Sequence, residues 1–155
     1  MKINIQDIHL IVYDFDGVMT DNKVLILEDG REGVFCNRAD GLAIKEIKKL
    51  GICQIILSTE KNPIIKYRAK KLQLPFFNNI GDKKKLLINY CKRNKYSLKK
   101  TVFIGNDIND LESMRIVGFP VAPFDADLTV KKIAKLVIKK KGGGGVIREF
   151  YKKLL

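Results

Sequence analysis

Short apolar runs recur along the chain and alternate with stretches in which apolar residues have helical spacing. The first run covers residues 8–13 and is interrupted only by His9. Continuous apolar runs of this length are typical of strands that are buried on both faces of a parallel sheet. The alternation therefore predicts the fold class, an α/β protein with a Rossmann-like, mostly parallel sheet and helices on both faces.

The same pattern gives approximate bounds for the individual elements. Strands are predicted at 8–13, 24–27, 34–36, 52–57, 74–77, 101–104 and 119–122, and helices at about 42–50, 63–72, 83–94, 111–117, 128–134 and 146–155. Because Pro120 has no N–H to donate to a neighbouring strand, the run at 119–122 is expected at an edge of the sheet.

Residues 23–36 interrupt the alternation and predict a β-hairpin. Two short apolar strands flank a turn that contains Asp29 and Gly30, and Asp-Gly is typical of such turns. Since an isolated hairpin is only marginally stable in water, we expect this flap to lie over the site and to pair with another subunit.

The end of the chain, residues 139–155, is a basic, glycine-rich tail followed by an amphipathic helix. The run 139–145 favours neither helix nor strand, so we expect a flexible loop. It is either a linker to a docking helix or a segment that closes over the site of a neighbouring subunit. No domain boundary is visible, and residues 1–155 are predicted to form a single domain.

Composition and charge limit the class of protein. Apolar residues make up 46% of the 155 positions, which is typical of a globular protein. No run is long enough to span a bilayer and residues 1–7 do not resemble a signal peptide, so we expect a cytoplasmic protein without a membrane partner.

The net charge of +13 should attract anions, either nucleic acid or a phosphorylated small molecule. The lysines are scattered in pairs and triplets, and no stripe of alternating basic and aromatic residues is present. A basic nucleic-acid-binding protein on a reused fold is therefore the distant alternative, and we expect no nucleic-acid partner.

Candidate chemistry begins directly after the first predicted strand. Asp14 and Asp16 are two residues apart, so both carboxylates lie on one side of an extended chain, and Gly17 then permits a sharp turn. The carboxyl ends of parallel strands are where α/β proteins build their sites. Two acids held this close repel each other unless a cation or a shared proton relieves them.

Other predicted strand ends add polar groups at the same edge of the sheet: Ser58, the lysines that begin with Lys83, and then Asp107 with Asp110. Acids without histidine or cysteine favour a hard cation such as Mg²⁺, and a hydroxyl with a lysine suits a phosphate. The order Asp-x-Asp, Ser, Lys, Gly-x-Asp-x-x-Asp resembles the haloacid dehalogenase (HAD) superfamily of phosphohydrolases.

The resemblance implies an enzyme, a phosphoric monoester hydrolase, and a role for each matching residue. Asp14 would attack phosphorus and form an aspartyl-phosphate, and Asp16 would first protonate the leaving alcohol and then deprotonate water. Ser58 and Lys83 would hold the transferring phosphoryl group. Lys83 is chosen over its two lysine neighbours because it follows Asp82 at the expected start of a helix.

The resemblance also implies a Mg²⁺ site. The carboxylates of Asp14 and Asp107 and the backbone carbonyl of Asp16 would be the ligands. Asp110 would orient the site without contacting the ion. The cation and the lysine would together neutralise the charge that opposes attack by one anion on another.

The chain leaves no room for a cap domain and resembles the capless branch typified by 3-deoxy-D-manno-octulosonate 8-phosphate phosphatase. The matching residues are 14–21, Asp40 with Gly41, which would help to bind substrate, and the glycine-rich 142–149. That branch implies a homotetramer whose hairpins form a central barrel and whose active sites are shared, with a role in lipopolysaccharide or sialic-acid biosynthesis.

One departure favours a different sugar acid. The octulosonate enzymes usually follow the motif-two hydroxyl with Gly-Arg, whereas this chain has Thr59-Glu60, with Arg68 and Lys71 further on. Glu60 with a Lys eleven residues later is similar to the related phosphatase of 2-keto-3-deoxynononate 9-phosphate. Glu60, Arg68 and Lys71 are therefore predicted to bind substrate, with the nine-carbon ester favoured and the octulosonate ester as the alternative.

Overall fold

Eight strands and six helices make up the computed structural model, which describes residues 4–155. The strands are β1 (Leu10–Tyr13), β2 (Leu25–Ile26), β3 (Glu32–Gly33), β4 (Cys53–Leu57), β5 (Phe76–Phe77), β6 (Thr101–Ile104), β7 (Phe119–Ala122) and β8 (Leu136–Val137). The helices are α1 (Arg38–Lys49), α2 (Ile64–Leu72), α3 (Lys83–Asn94), α4 (Leu111–Ile116), α5 (Leu128–Ile133) and α6 (Val146–Leu154). Residues 1–3, at which the predicted domain begins, lie outside the described part.

Six strands form one parallel sheet in the order β5-β4-β1-β6-β7-β8. Along β1, Ile11 and Tyr13 pack into one core layer with α1, α2 and α6, while Leu10 and Val12 pack into the other with α3, α4 and α5. Both faces of the strand are thus buried, as its unbroken apolar run requires. The predicted α/β fold class is confirmed, and the central position of β1 brings its carboxyl end to the middle of one sheet edge.

The predicted edge position of residues 119–122 is wrong, because β8 pairs beyond β7. This pairing begins at Val121 opposite Leu136, and the carbonyl of Pro120 accepts from the N–H of Lys135 at 2.8 Å. Pro120 therefore lies where the short outer strand has not yet begun, and its missing N–H leaves no gap in the ladder. The two-residue β8 was not predicted, since so short an apolar segment carries no period of its own.

The predicted hairpin is present, with its second strand earlier than expected. Leu27 N–H donates to the carbonyl of Arg31 at 2.8 Å and closes the turn, so pairing resumes at Glu32. A bridge between Thr20 and Cys36 extends the ribbon toward the sheet. Within residues 4–155 the strands β2 and β3 pair only with each other.

The glycine-rich segment 142–145 packs against the turn that follows β1. Gly143 N–H donates to the carbonyl of Val18 at 3.1 Å. A Cβ on Gly142 would lie 2.3 Å from the carbonyl oxygen of Gly17. Only glycine permits so close a backbone approach. Over residues 4–155, no helix is both long and apolar enough to traverse a membrane.

Candidate active site

The turn after β1 holds Asp14 and Asp16 in fixed positions. Asp14 N–H donates to the carbonyl of Ile104 at 2.9 Å, which continues the sheet by one residue. The side chain of Phe15 is buried in the core, and the Phe15 carbonyl accepts from the N–H groups of Met19 and Thr20 at 2.9 and 3.2 Å. Gly17 has a φ of +81°, which permits this reversal. The two carboxylates therefore leave the sheet edge on a rigid turn.

Lys83, at the start of α3, binds one aspartate from the turn after β1 and one from the turn after β6. Its Nζ lies 2.7 Å from Oδ1 of Asp14 and 2.7 Å from Oδ1 of Asp110, and all three side chains are almost fully buried. Asp82 caps the helix by accepting from the N–H of Lys85 at 2.8 Å. Of the three consecutive lysines, Lys83 is thus the one whose ammonium contacts Asp14 and Asp110.

Asp110 shapes the turn that follows β6. Its Oδ2 accepts from the backbone N–H of Asn106 at 2.9 Å and of Asp107 at 3.4 Å. A Cβ on Gly105 would lie 2.6 Å from the same oxygen, so glycine is required there. Asp110 thus fixes the turn with one oxygen and binds Lys83 with the other.

The charges in this cluster do not balance. Burial, followed by the negative charge of Asp110, raises the pKa of Asp14 to about 8, although Lys83 opposes the shift. Burial lowers the pKa of Lys83, but the carboxylates of Asp14 and Asp110 outweigh it and raise that pKa overall. Lys83 is therefore held as a cation, and one ammonium is shared by two carboxyl groups, so Asp14 keeps its proton up to about pH 8. A further cation beside Asp14 would favour its ionised form.

The site opens into a cavity of about 290 Å³ at the carboxyl edge of the sheet. Its lining residues are Asp14, Asp16, Asn22, Ser58, Thr59, Glu60, Asn106, Asp107, Ile108 and Asn109. A second cavity of about 220 Å³ lies under the hairpin and shares Asp16, Asn22 and Glu60 with the first. The two cavities are therefore neighbours, one beside the carboxylate pair and the other on the inner side of the flap.

Oxygen atoms that suit a hard cation converge at the first cavity. The backbone carbonyl oxygen of Asp16 and Oδ2 of Asp14 both face the side-chain amide of Asn106. With the amide nitrogen turned toward them, it donates to the first at 2.8 Å and to the second at 3.0 Å. Acid side chains alone do not complete a site, since residues 4–155 contain no group of three His, Cys, Asp or Glu side chains with metal-binding geometry.

Five of the predicted residues, Asp14, Asp16, Ser58, Glu60 and Asp107, line the first cavity. Lys83 and Asp110 lie directly beneath Asp14. The Oγ of Ser58 accepts from the N–H of Glu60 at 3.1 Å, so the hydroxyl also orders its own loop. Burial and the nearby charge of Glu60 raise the pKa of Asp16, which favours its protonated form.

Four other predicted residues are not brought to the cavities. Asp40 is buried between α1 and α6, where its Oδ1 accepts from Arg148 N–H at 2.9 Å. Gly41 lies against Leu72. Arg68 donates to the carbonyl of Asn37 at 3.0 Å, and Lys71 is exposed in the last turn of α2.

Several lining residues were not singled out from the sequence. Asn22 lines both cavities and has a φ of +64°, a conformation in which asparagine is enriched. Its position two residues after Thr20, in the turn that follows β1, was the available signal. Asn106 stands inside the Gly-x-Asp-x-x-Asp motif as its unspecified residue, and Asn109 donates to Oγ1 of Thr59 at 3.1 Å.

Sequence comparison places these residues among known proteins. The model of a haloacid dehalogenase-like hydrolase family matches residues 4–150. The 3-deoxy-D-manno-octulosonate 8-phosphate phosphatase of Haemophilus influenzae is 29% identical over 150 residues, which are 96% of this chain and 83% of that protein. N-acylneuraminate cytidylyltransferase A of Danio rerio is 28% identical over 152 residues, but the chain spans only 35% of its length.

Solved structures give the same picture. A HAD family hydrolase from Streptomyces avermitilis superposes with a TM-score of 0.98 at 40% identity, over 100% of this chain and 89% of that one. The octulosonate 8-phosphate phosphatase of Moraxella catarrhalis, solved with a magnesium ion, a phosphate ion and a KDO molecule, gives 0.93 at 26% identity over 97% and 87%. The cobalt-bound Haemophilus influenzae phosphatase gives 0.91 at 28% identity over 97% and 89%.

Proposed function

The chain belongs to the haloacid dehalogenase-like hydrolases, and from this premise we propose that it hydrolyses the phosphate ester of a phosphorylated sugar acid. The buried cluster of Asp14, Lys83 and Asp110 at the floor of the cavity carries the proposal. It presents a carboxylate to the cavity from a rigid turn and holds a cation beside it, which is what nucleophilic attack on a phosphate requires.

The paired aspartates have different chemical roles in this proposal. A carboxylate oxygen of Asp14 bonds to phosphorus while the bond from phosphorus to the sugar oxygen breaks, which leaves an aspartyl-phosphate. Asp16 gives its proton to the departing sugar oxygen and then takes one from the water that hydrolyses the intermediate. The raised pKa of Asp16 suits the first of these steps, because the residue must begin protonated.

Ser58 and Lys83 would hold the transferring phosphoryl group. The Ser58 hydroxyl lines the cavity, and the Lys83 ammonium, already bound to Asp14, is in place before substrate arrives. A fixed cation costs no reorganisation at the moment of reaction and is therefore more effective than a mobile one.

A divalent cation fits the site, and Mg²⁺ is the ion we propose. The carboxylate of Asp14 and the backbone carbonyl of Asp16 would hold it, with Asp107 as the third ligand in the sequence-based assignment and Asp110 as a positioning residue. Bound there, the ion would supply the positive charge that the cluster lacks and polarise the phosphoryl oxygens. Related structures contain magnesium or cobalt, which supports dependence on a divalent metal.

The sugar would occupy the second cavity, under the hairpin. Glu60 lines both cavities and can accept hydrogen bonds from sugar hydroxyls. This position of Glu60, together with the similarity to a cytidylyltransferase for N-acylneuraminate, a nine-carbon sugar acid, supports 2-keto-3-deoxynononate 9-phosphate as the substrate.

3-Deoxy-D-manno-octulosonate 8-phosphate fits the comparisons at least as well. The phosphatases among the relatives are named for it, and they match this chain over most of their own length, unlike the cytidylyltransferase. Both esters are 3-deoxy-2-keto acids, so the chemistry at Asp14 is the same for either.

We further propose that residues 1–155 act as one domain within a homotetramer that shares its active sites. The hairpin exposes Leu25, Ile26 and Phe35, a row of apolar side chains that a second copy would cover. Lys71 lies at the end of α2 that is remote from the cavity, so it could reach a substrate carboxylate only from a neighbouring copy.

The substrate is tested by measuring phosphate release from the two esters in the presence of Mg²⁺. The proposal predicts a larger kcat/KM for the nonulosonate 9-phosphate. A reversed preference would contradict the nine-carbon assignment and leave the catalytic roles intact, whereas no release from either ester or from other sugar-acid phosphates would contradict the phosphatase proposal itself.

A further inference from the structure

The cavity of about 220 Å³ under the hairpin is lined by acidic, amide and apolar side chains. In the part of the chain that the structure describes, no lysine, arginine or histidine lines it. Carboxylates and amides hydrogen-bond hydroxyl groups but repel or fail to neutralise a carboxylate. The lining therefore suits the neutral, hydroxylated part of a sugar acid rather than its acid group. The acids are Asp16, Glu32 and Glu60, and the amides are those of Asn22 and Asn62.

Glu32 and Glu60 reach this cavity from different elements. Glu32 lies in β3 of the hairpin, and Glu60 lies in the loop between β4 and α2. The backbone of that loop is fixed on both sides of Glu60, because its N–H donates to Oγ of Ser58 at 3.1 Å and its carbonyl accepts from the N–H of Asn79 at 3.0 Å. One acid thus comes from the flap and the other from the edge of the main sheet.

Asn62 holds the Glu32 carboxylate in place. Its Nδ2 donates to Oε2 of Glu32 at 2.5 Å, and its Oδ1 accepts from the N–H of Ile64, at the start of α2, at 2.9 Å. Among residues 4–155, the other carboxylate oxygen of Glu32, Oε1, has no hydrogen-bond partner. A carboxylate can accept about four hydrogen bonds. Glu32 can therefore bind a further donor without losing Asn62.

We propose that Glu32 is a specificity-determining residue, whose carboxylate accepts a hydrogen bond from a substrate hydroxyl near the phosphate ester. The hydroxyl is near the ester because this cavity shares Asp16, Asn22 and Glu60 with the one in which phosphate would react. The substrate then binds with its hydroxylated chain under the hairpin and its carboxylate outside the two cavities. This inference rests on the proposed sugar-acid phosphatase and names the part of the substrate that the second cavity binds.

The test compares kcat/KM for two phosphate esters, the preferred sugar-acid ester and phenyl phosphate, which has no hydroxyl group. Glu32→Ala should lower kcat/KM for the sugar-acid ester by about thirtyfold, the effect of losing a hydrogen bond to a charged group. Most of the loss should be in KM, because the bond forms in the ground state and persists in the transition state. For phenyl phosphate the change should be less than about threefold. Equal losses for the two esters would overturn the proposal, since Glu32 would then support the site in general.

Glu28→Ala is the matched control. Glu28 is an exposed acid in the turn of the same hairpin, and it lines neither cavity. Its substitution removes the same charge and should leave kcat/KM for both esters unchanged. A loss equal to that of Glu32→Ala would assign the effect to long-range charge and would overturn the proposal.

Two further variants separate substrate binding from attachment of the hairpin. Glu32→Gln keeps an oxygen that can accept from Asn62 but loses the charge, and it should lower kcat/KM for the sugar-acid ester by about tenfold. Asn62→Ala removes the attachment and leaves the carboxylate, and it should cost less than about threefold. The reverse order of these two losses would show that Glu32 only attaches the hairpin, which contradicts the proposal.

The sign of the effect tests the orientation of the substrate. If the substrate carboxylate lay under the hairpin, Glu32→Ala would relieve repulsion and raise kcat/KM for the sugar-acid ester, and the proposal would be wrong. No phosphate release from any ester by the wild type would contradict the proposed function itself. Release by the wild type with an unchanged kcat/KM in Glu32→Ala contradicts only the role of Glu32.

Discussion

At the residue scale, Lys83 is the side chain that allows two carboxylates to be buried beside each other. Its Nζ binds Asp14 and Asp110 at 2.7 Å each, and its side chain is 1% exposed. Charges are buried in proteins only when they are paired, because removing an ion from water costs several kcal/mol (on the order of 5). The same ammonium therefore stabilises the fold and prepares the site for an anionic group.

Lys83→Ala should lower the free energy of unfolding by about 3 kcal/mol, because it leaves two buried carboxylates without their cation. Lys84→Ala is the matched control, since Lys84 is the next residue of α3 and forms an exposed ion pair with Glu112 at 3.2 Å. Urea denaturation of both variants measures the difference. Equal effects of the two substitutions would contradict this account of the cluster.

Asp40 is a second buried acid, and its role differs from the one expected. It joins α1 to the first turn of α6 through the N–H of Arg148, and among residues 4–155 its Oδ2 has no hydrogen-bond partner. Burial raises the pKa of Asp40 from 3.8 to about 6. A contact between residues 108 positions apart in the chain could not be read from the sequence.

This shift predicts how stability depends on pH. Since the folded-state pKa of Asp40 is above its unfolded value, the folded chain holds the proton more tightly between about pH 4 and pH 6. Ionisation therefore costs the wild type stability as the pH rises through this window, by about 3 kcal/mol in total. Asp40→Asn removes that term. In urea denaturation across this range, the wild type should lose stability relative to the variant, and a constant difference would refute the assignment.

At the element scale, the sequence predicted best the elements that carry their own signals. The bounds of α3 and β6 agree with prediction, because Asp82 caps the helix and an unbroken apolar run forms the strand. The two-residue β8 was missed because only its pairing with β7 defines it. Likewise, the expectation that strand ends meet at one edge of the sheet was enough to group Asp14, Ser58 and Lys83. It could not show which side chain of the turn after β6 faces Asp14, because the backbone of that turn decides this.

The tail segment 142–145 is an element whose contacts the sequence did not reveal. Gly142 and Gly143 lie against the backbone of residues 17–21 and so support the turn after β1. The helix α6 that follows is joined to Asp40 by the N–H of Arg148. The Nδ2 of Asn37 also donates to the carbonyl of Gly143, at 3.3 Å. The position of Asp16 thus depends on a segment more than a hundred residues later.

Gly142→Ala should lower both kcat and the free energy of unfolding, because its Cβ would lie 2.3 Å from a backbone oxygen of the catalytic turn. Gly81→Ala is the control, since a Cβ there meets nothing within 4 Å and its φ is not positive. Steady-state kinetics and urea denaturation measure both effects. Normal kinetics in a folded Gly142→Ala variant would show that the tail does not position the turn.

At the scale of the whole molecule, charge and apolar surface are separated. The net charge is +13, yet the charged side chains that line the first cavity are all acidic: Asp14, Asp16, Glu60 and Asp107. Positive charge elsewhere would attract a phosphorylated acid over long range, while the acids at the cavity suit a cation. The exposed apolar residues of the hairpin form a separate surface, the one that the proposed tetramer would bury.

Ile26→Asp should dissociate the proposed tetramer, because Ile26 is 70% exposed in the isolated chain and a charge there would have to be buried between copies. Leu128→Asp is the control, with the same 70% exposure at the start of α5. Sedimentation velocity measures the assembly. An unchanged species distribution in Ile26→Asp, or a monomeric wild type, would refute the hairpin-mediated tetramer.

The central claim, a metal-dependent phosphatase with Asp14 as nucleophile, is tested most directly by phosphate release from the preferred sugar-acid ester. Asp14→Asn should lower kcat by about a thousandfold or more, since the amide is not a nucleophile and forms no aspartyl-phosphate. Asp7→Asn, an exposed acid paired with Lys100, should retain full activity. Chelation should abolish wild-type release and Mg²⁺ should restore it. Asp14→Asn with near-normal turnover, or wild-type release unaffected by chelation, would contradict the account.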